Sequence, residues 1–346
     1  MNTSLLERIV TSPKAELHIH IEGSLEPELI FALAQKHQIT LPYKGIEDLR
    51  AAYAFSDLQS FLDVYYAGAS VLLDAEDFYA MTHAYVQKAR ADNVRHTEIF
   101  FDPQTHLVRG VSMAAMLEGI ESALAAAERE DGFSSRLILC FLRHLSEASA
   151  QDCLDQALPL LEQYRHRLVG VGLDSSEMGH PPSKFERVFA RARQHGLRAV
   201  AHAGEEGPPA YIYEALDLLK VERIDHGVRA IEDAALVARL AASRIALTVC
   251  PLSNLKLCVF DDMRQHTLKT LLDAGLAITI NSDDPAYFGG YVNANYIAAA
   301  EALDLSASQL QHIVANGFEA AFIDDAQRAN FLRQVEAHWL PAHSEC

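Results

Sequence analysis

Glu16-Leu17-His18-Ile19-His20-Ile21-Glu22-Gly23 is the stretch that opens the fold. Its first part reads as a short β-strand over residues 16–20. Residues two apart on a strand point to the same side. His18 and His20 therefore face one way together, close enough to ligate one metal ion. Alone, a His-x-His pair is weak evidence; its meaning depends on what the rest of the chain brings beside it.

Working outward, short apolar runs rich in β-branched residues alternate with longer helical patterns, the signature of βα units and a parallel sheet. Eight strands are predicted, at 16–20, 97–102, 136–142, 169–173, 198–202, 223–226, 245–250 and 277–283. Eight closes a barrel. An open doubly wound sheet fits the count as well, but the positions of the polar motifs favour an α/β fold of the (β/α)8 TIM barrel type. Helices are predicted at 27–37, with Ser24 as N-cap and Pro27 in the first turn, and at 113–129, 150–164, 185–195, 212–219 and 231–242. Residues 40–92 are too many for a simple connection and are predicted as helices inserted after strand 1, over one mouth of the barrel. There Leu58, Phe61, Leu62 and Tyr65 recur at i, i+3, i+4, i+7. From Ser306 onward, further helices are expected outside the barrel.

Composition agrees with one domain spanning residues 1–346. Half of the 346 residues are hydrophobic, enough for a large core. No stretch of about 18 apolar residues occurs, and residues 1–13 lack an apolar run of signal-peptide length, so a cytoplasmic protein is expected. The five cysteines (Cys140, Cys153, Cys250, Cys258 and Cys346) are scattered and form no Cys-x-x-Cys pair, which suggests neither disulfides nor a thiolate metal site but buried or inert thiols. A formal charge of −18 repels polyanions and argues against nucleic-acid or acidic-membrane partners.

The chemistry lies at the C-terminal ends of the strands, where barrels build active sites. Strand 5 runs into Ala201-His202-Ala203-Gly204-Glu205, strand 6 into Asp225-His226-Gly227, and strand 8 into Asn281-Ser282-Asp283-Asp284-Pro285. Each has a bland explanation taken singly. Jointly, four histidines and three acids would crowd one barrel mouth, each unpaired polar group costing about 1–3 kcal/mol. A cation held by several of them removes much of that cost. Imidazole and carboxylate without thiolate suit zinc, with iron or manganese as alternatives.

At these motifs the chain resembles the adenosine/AMP/adenine deaminase family of metal-dependent amidohydrolase barrels, over essentially its whole length. The resemblance implies one zinc per chain on His18, His20, His202 and Asp283. It implies Glu205 as the acid that protonates N1 of a purine, His226 as the residue that handles the attacking water and takes its proton, and Asp284 as a hydrogen-bond partner of the base. Zinc lowers the pKa of a bound water to about 7, and attack at C6 would replace the amino group by oxygen, a step of purine salvage.

Departures from the nucleoside-deaminating pattern point to the adenine deaminase branch. Nucleoside deaminases carry His-x-His-x-Asp-Gly near the ribose, where this chain has Glu22, and a Gly-Asp-Glu run after strand 4, where it has Asp174-Ser175-Ser176-Glu177. Glu22 is expected to fill the ribose volume, Glu177 to accept from N9–H, the Ser175 backbone N–H to lie near N3, and Phe61 to cover the base. The competing expectations are adenosine deamination, or a barrel hydrolase of another substrate. The absence of Pro-Cys-x-x-Cys excludes cytidine-type zinc deaminases.

Overall fold

The computed structural model describes residues 3–340. Eight parallel strands follow one another around a barrel in chain order: β1 (Lys14–His20), β2 (Val94–Phe101), β3 (Ser134–Leu142), β4 (Leu168–Asp174), β5 (Arg198–Ala203), β6 (Arg223–His226), β7 (Ala246–Val249) and β8 (Ile278–Ile280), a (β/α)8 TIM barrel. The seam between β8 and β1 closes through the segment just past β8. His20 N–H donates to the carbonyl of Asp283 at 2.9 Å, and Asp283 N–H donates to the carbonyl of His18 at 3.1 Å. The Asn281 side chain accepts from Leu17 N–H at 2.8 Å and stands in for a ladder bond. Strand 8 is thus shorter than the predicted 277–283. Asp283 adopts φ +65°, which cannot continue a strand.

The predicted helices form, with changes that local chemistry explains. Ser24 does not cap the first of them. It sits in a 3₁₀ turn, Glu22–Ser24, and its hydroxyl donates to the carbonyl of Ile21 at 2.7 Å; the helix Pro27–Lys36 starts after Glu26. The stretch predicted at 150–164 breaks into Glu147–Ala157, a 3₁₀ turn Leu158–Leu160 and Leu161–Tyr164, because Pro159 has no N–H to continue the ladder. The stretch 212–219 begins earlier, as Pro209–Glu214, and widens into a π turn at Ala215–Leu219. The stretch 231–242 divides at Asp233, whose carboxylate caps Ala234–Ser243.

The inserted segment 40–92 divides in two. Ile46–Ala51 and Leu58–Ala69 are the insertion, and the second lies over the barrel mouth. Ala75–Ala91 instead packs beside Met113–Asp131 in the outer ring. Gly119 permits that approach: a Cβ there would lie 2.2 Å from the Ala75 carbonyl oxygen. Helices Thr3–Thr11 and Val292–Ala302 were not predicted, whereas Ala307–Ala320 and Asp325–Trp339 form the expected C-terminal layer.

At the opposite end of the barrel, Phe322 lies between the guanidinium groups of Arg198 and Arg223, at 3.8 and 3.9 Å from its ring centre. Arg223 pairs with the buried Glu98 at 2.6 Å, so a buried ion pair closes this end of the core. Cys140, Cys153 and Cys250 are buried, as expected; Cys258 is exposed, and Cys346 lies outside the described residues. No helix among the described residues is long and apolar enough to cross a membrane.

Candidate active site

Strand geometry brings the predicted metal residues together. His18 and His20 come from one face of β1, His202 from β5 and Asp283 from the closing segment. All four are buried, and one donor atom from each lies within 4.8 Å of the others. The ring nitrogens turned away from this centre face polar groups behind them, hydrogen-bonded in the case of His18. His18 Nδ1 bonds to the carbonyl and hydroxyl oxygens of Thr248 at 3.2 and 3.0 Å. His20 Nδ1 faces Asp174 Oδ2 at 3.5 Å, and His202 Nδ1 faces Asp225 Oδ2 at 3.6 Å. Such partners orient a histidine and raise its basicity toward a metal. The inward Nε2 of His18 has no hydrogen-bond partner, an orphaned donor set that a cation satisfies.

Beside this cluster stand Glu205 and His226. Their approach uses unusual backbone: His226 has φ +63°, a conformation a non-glycine residue holds only when its surroundings over-determine it. His226 Nε2 lies 3.5 Å from Glu205 Oε2 and 3.6 Å from Asp283 Oδ2. Burial, reinforced by Asp283, Glu177 and Glu206, pushes the Glu205 carboxyl well above the ordinary carboxylate range. That direction favours the protonated carboxyl, the form the expected acid needs.

Asn254, which no motif singled out, joins the two. A chain of hydrogen bonds sets its orientation. Leu268 N–H donates to His266 Nδ1 at 3.0 Å, so neutral His266 carries its proton on Nε2 and donates it to Asn254 Oδ1 at 3.2 Å. Burial holds His266 down at about 4, which keeps it neutral. The Asn254 amide nitrogen then donates to Glu205 Oε1 at 3.3 Å and to His226 Nδ1 at 3.2 Å. His226 consequently carries its proton on Nε2, facing the site. That tautomer turns an N–H toward the site, whereas the expected acceptance of the water's proton needs a free Nε2. The signal was available: Asn254 lies just past the end of β7, the one kind of position where polar residues had already been found informative.

Asp284 lines the cavity, buried, with Oδ1 unpartnered. Gly23 makes room for it, since a Cβ there would meet Asp284 Oδ1 at 2.0 Å. Ser175 lines the same cavity at φ +74°, its hydroxyl between the Tyr66 hydroxyl at 3.1 Å and His144 Nδ1 at 2.8 Å. Phe61 covers the mouth with Leu58, Leu62 and Tyr65, and its ring packs 4.6 Å from that of Phe288. The cavity, open to solvent at its mouth, has an empty volume of about 410 Å³.

The two glutamates expected to set specificity do neither task. Glu177 does not line the cavity: its carboxylate accepts the backbone N–H groups of Gly204, Glu205, Glu206 and Gly207 at 2.7–3.1 Å, leaving no oxygen free to meet N9–H. Glu22 is also away from the cavity wall. Its Oε1 accepts from the Asp102 backbone N–H at 3.2 Å and from His106 Nε2 at 2.9 Å, so it ties the ends of β1 and β2 together instead of filling a sugar site. A carboxylate's partner is set by tertiary neighbours, which a local motif does not reveal.

A parallel barrel carrying three histidines, an aspartate and a buried glutamate at its C-terminal mouth defines a metal-dependent hydrolase of the amidohydrolase type. Residues 13–338 match the family model described as adenosine deaminase, and the chain belongs to that family. It is 68% identical over 340 residues to an adenine deaminase of Paraburkholderia xenovorans, covering 98% of this chain and 97% of that protein. Over 343 residues it is 65% identical to one of Ralstonia pickettii, covering 99% of each. Among solved structures, the adenine deaminase of Arthrobacter aurescens superposes with a TM-score of 0.91 at 51% identity, over 94% of this chain and 98% of that one. An amidohydrolase of Burkholderia ambifaria with bound zinc gives 0.89 at 26% identity, over 98% and 93%.

Proposed function

We infer that this protein hydrolyses adenine to hypoxanthine and ammonia. The relatives named adenine deaminase at 62–68% identity over nearly the whole chain support the substrate. The observation that carries the chemistry is the Glu205 carboxyl buried beside a metal-ligand cluster, where burial raises its pKa.

We assign His18, His20, His202 and Asp283 as ligands of one zinc ion, a donor set of the right type for it. Zinc, when bound, acts as a Lewis acid that lets water attack at neutral pH. The protein's own groups do the rest. Glu205 donates its proton to N1 as negative charge develops there, which makes C6 electrophilic. Asn254 holds the other oxygen of Glu205 and keeps the acid aimed. His226 donates from Nε2 to the attacking oxygen and holds it over C6. We give the water's proton to the Asp283 carboxylate, whose Oδ2 is 3.6 Å from His226 Nε2. Asp283 passes it to the amino nitrogen on C6, which leaves as ammonia as the C6 oxygen becomes a carbonyl and returns its own proton to the carboxylate. Asp284, whose carboxyl burial and the neighbouring Asp283 push well above the usual range, donates the proton of its neutral carboxyl to N7. Tyr65, Phe61 and Phe288 roof the cavity and exclude bulk water, which strengthens every polar contact beneath them.

Ammonia release from adenine, adenosine and AMP, measured side by side on zinc-loaded protein, tests the assignment. Adenine is expected to be the preferred substrate by kcat/KM; preference for either of the others overturns it.

A further inference from the structure

Neither Glu22 nor Glu177 faces the cavity, so the discrimination between a free base and its nucleoside must come from another group. We propose that Asp102, steadied by Tyr65, accepts the N9–H of the base and thereby selects free adenine over its nucleoside. The proposal rests on the adenine assignment.

The order of strands around the barrel locates the contact. Glu205 follows β5 and Asp284 follows β8, which sets N1 and N7 of the purine at these two places. Along the arc β5–β6–β7–β8 lie His226 and Asp283, the groups that face C6. The N3 and N9 edge must then lie along the other arc, through β4, β3, β2 and β1. Ser175 follows β4, on the N3 side. Asp102 follows β2, between β4 and β8, where N9 falls. The sequence of ring nitrogens N1, N3, N9, N7 thus matches the sequence β5, β4, β2, β8.

N9–H is a donor and needs an acceptor. On this arc Asp102 and Asp174 are the cavity-lining carboxylates among the described residues. Asp174 also has oxygens without a hydrogen-bond partner, but it ends β4, on the N3 side, with Oδ2 3.5 Å from His20 Nδ1. Asp102 is only 3% exposed; its Oδ2 accepts from the Tyr65 hydroxyl at 3.0 Å, and its backbone N–H is held by Glu22. Its Oδ1 has no hydrogen-bond partner. A buried acceptor left without a donor is costly, and the base supplies the donor. A nucleoside carries carbon at N9 instead: it brings no proton to Oδ1 and presses a sugar against it. A site built around a substrate's N–H rejects the analogue that lacks it more strongly than an apolar pocket does.

The test compares kcat/KM for adenine and 9-methyladenine in zinc-loaded wild type, Asp102→Ala and Tyr65→Phe. The ratio of the two cancels any loss of folded or metal-loaded protein. It is expected to fall roughly tenfold or more in Asp102→Ala and by a few fold in Tyr65→Phe, where Oδ2 loses its partner. An unchanged ratio in both variants, with wild type still preferring adenine to adenosine, overturns the role of Asp102 and leaves the adenine assignment standing. Wild type preferring adenosine overturns the adenine assignment itself.

Discussion

The carboxylate of Glu177 accepts the backbone N–H of Glu205 at 3.1 Å. With three more N–H groups of the same loop on its oxygens, it clamps the turn that carries the proposed proton donor. Glu177→Gln replaces one acceptor oxygen by a donor and leaves N–H groups unsatisfied, at about 1–3 kcal/mol each. The expected outcome is lower stability in denaturant unfolding together with reduced kcat, while bound metal stays near its wild-type level. Reduced stability with unchanged kcat would restrict Glu177 to scaffolding.

Purified protein should hold about one zinc per chain, and chelation should abolish turnover. His202→Ala should lose the metal, because it removes one of only four donors converging on the centre. Active protein without zinc, iron or manganese by elemental analysis would contradict this.

Glu205→Gln should keep its metal and lose turnover by a factor on the order of 10²–10⁴, since an amide cannot supply the proton to N1. The pH profile carries the same information. Glu205 must be protonated in the free enzyme and its pKa is raised. Its contribution to kcat/KM is therefore fully present at low pH and lost as pH rises through that elevated value. A profile rising with pH in that region would exclude Glu205 as the acid.

Asn254 should control the protonation pattern of His226. In ¹⁵N spectra of labelled holoenzyme, Nε2 of His226 should carry the proton and Nδ1 should not. In Asn254→Leu that preference should weaken and kcat should fall roughly tenfold or more, with metal content maintained. Protonated Nδ1 in wild type would return His226 to the role of base.

Phe61→Ala tests the roof of the cavity. A pure gate would alter KM or kcat at little cost in stability. The ring, however, is buried among Phe55, Tyr65, Tyr287 and Phe288. Truncation should therefore raise KM and also destabilise, by up to about 3–5 kcal/mol. Unchanged kinetics with reduced melting temperature would leave Phe61 a packing residue alone.

The barrel and its metal cluster are legible in the chain itself. Period-2 alternation settles that His18 and His20 share a face, and the βα rhythm puts His202, Glu205, His226, Asp283 and Asp284 at strand ends, which in a barrel are one place. Those inferences need only local periodicity and the topology it implies. The roles of the remaining polar groups do not follow from either. Glu22 and Glu177 stand beside site motifs, yet Glu22 Oε1 and both oxygens of Glu177 are claimed by backbone N–H groups that follow other strands. Asp102 lines the cavity because β2 delivers it there, and Asn254, carried just past β7, hydrogen-bonds Glu205 and His226 without lining the cavity itself. The direction and partner of a buried polar side chain depend on which donors and acceptors the closed barrel leaves unmatched, a property of the assembled neighbourhood that only the tertiary structure decides.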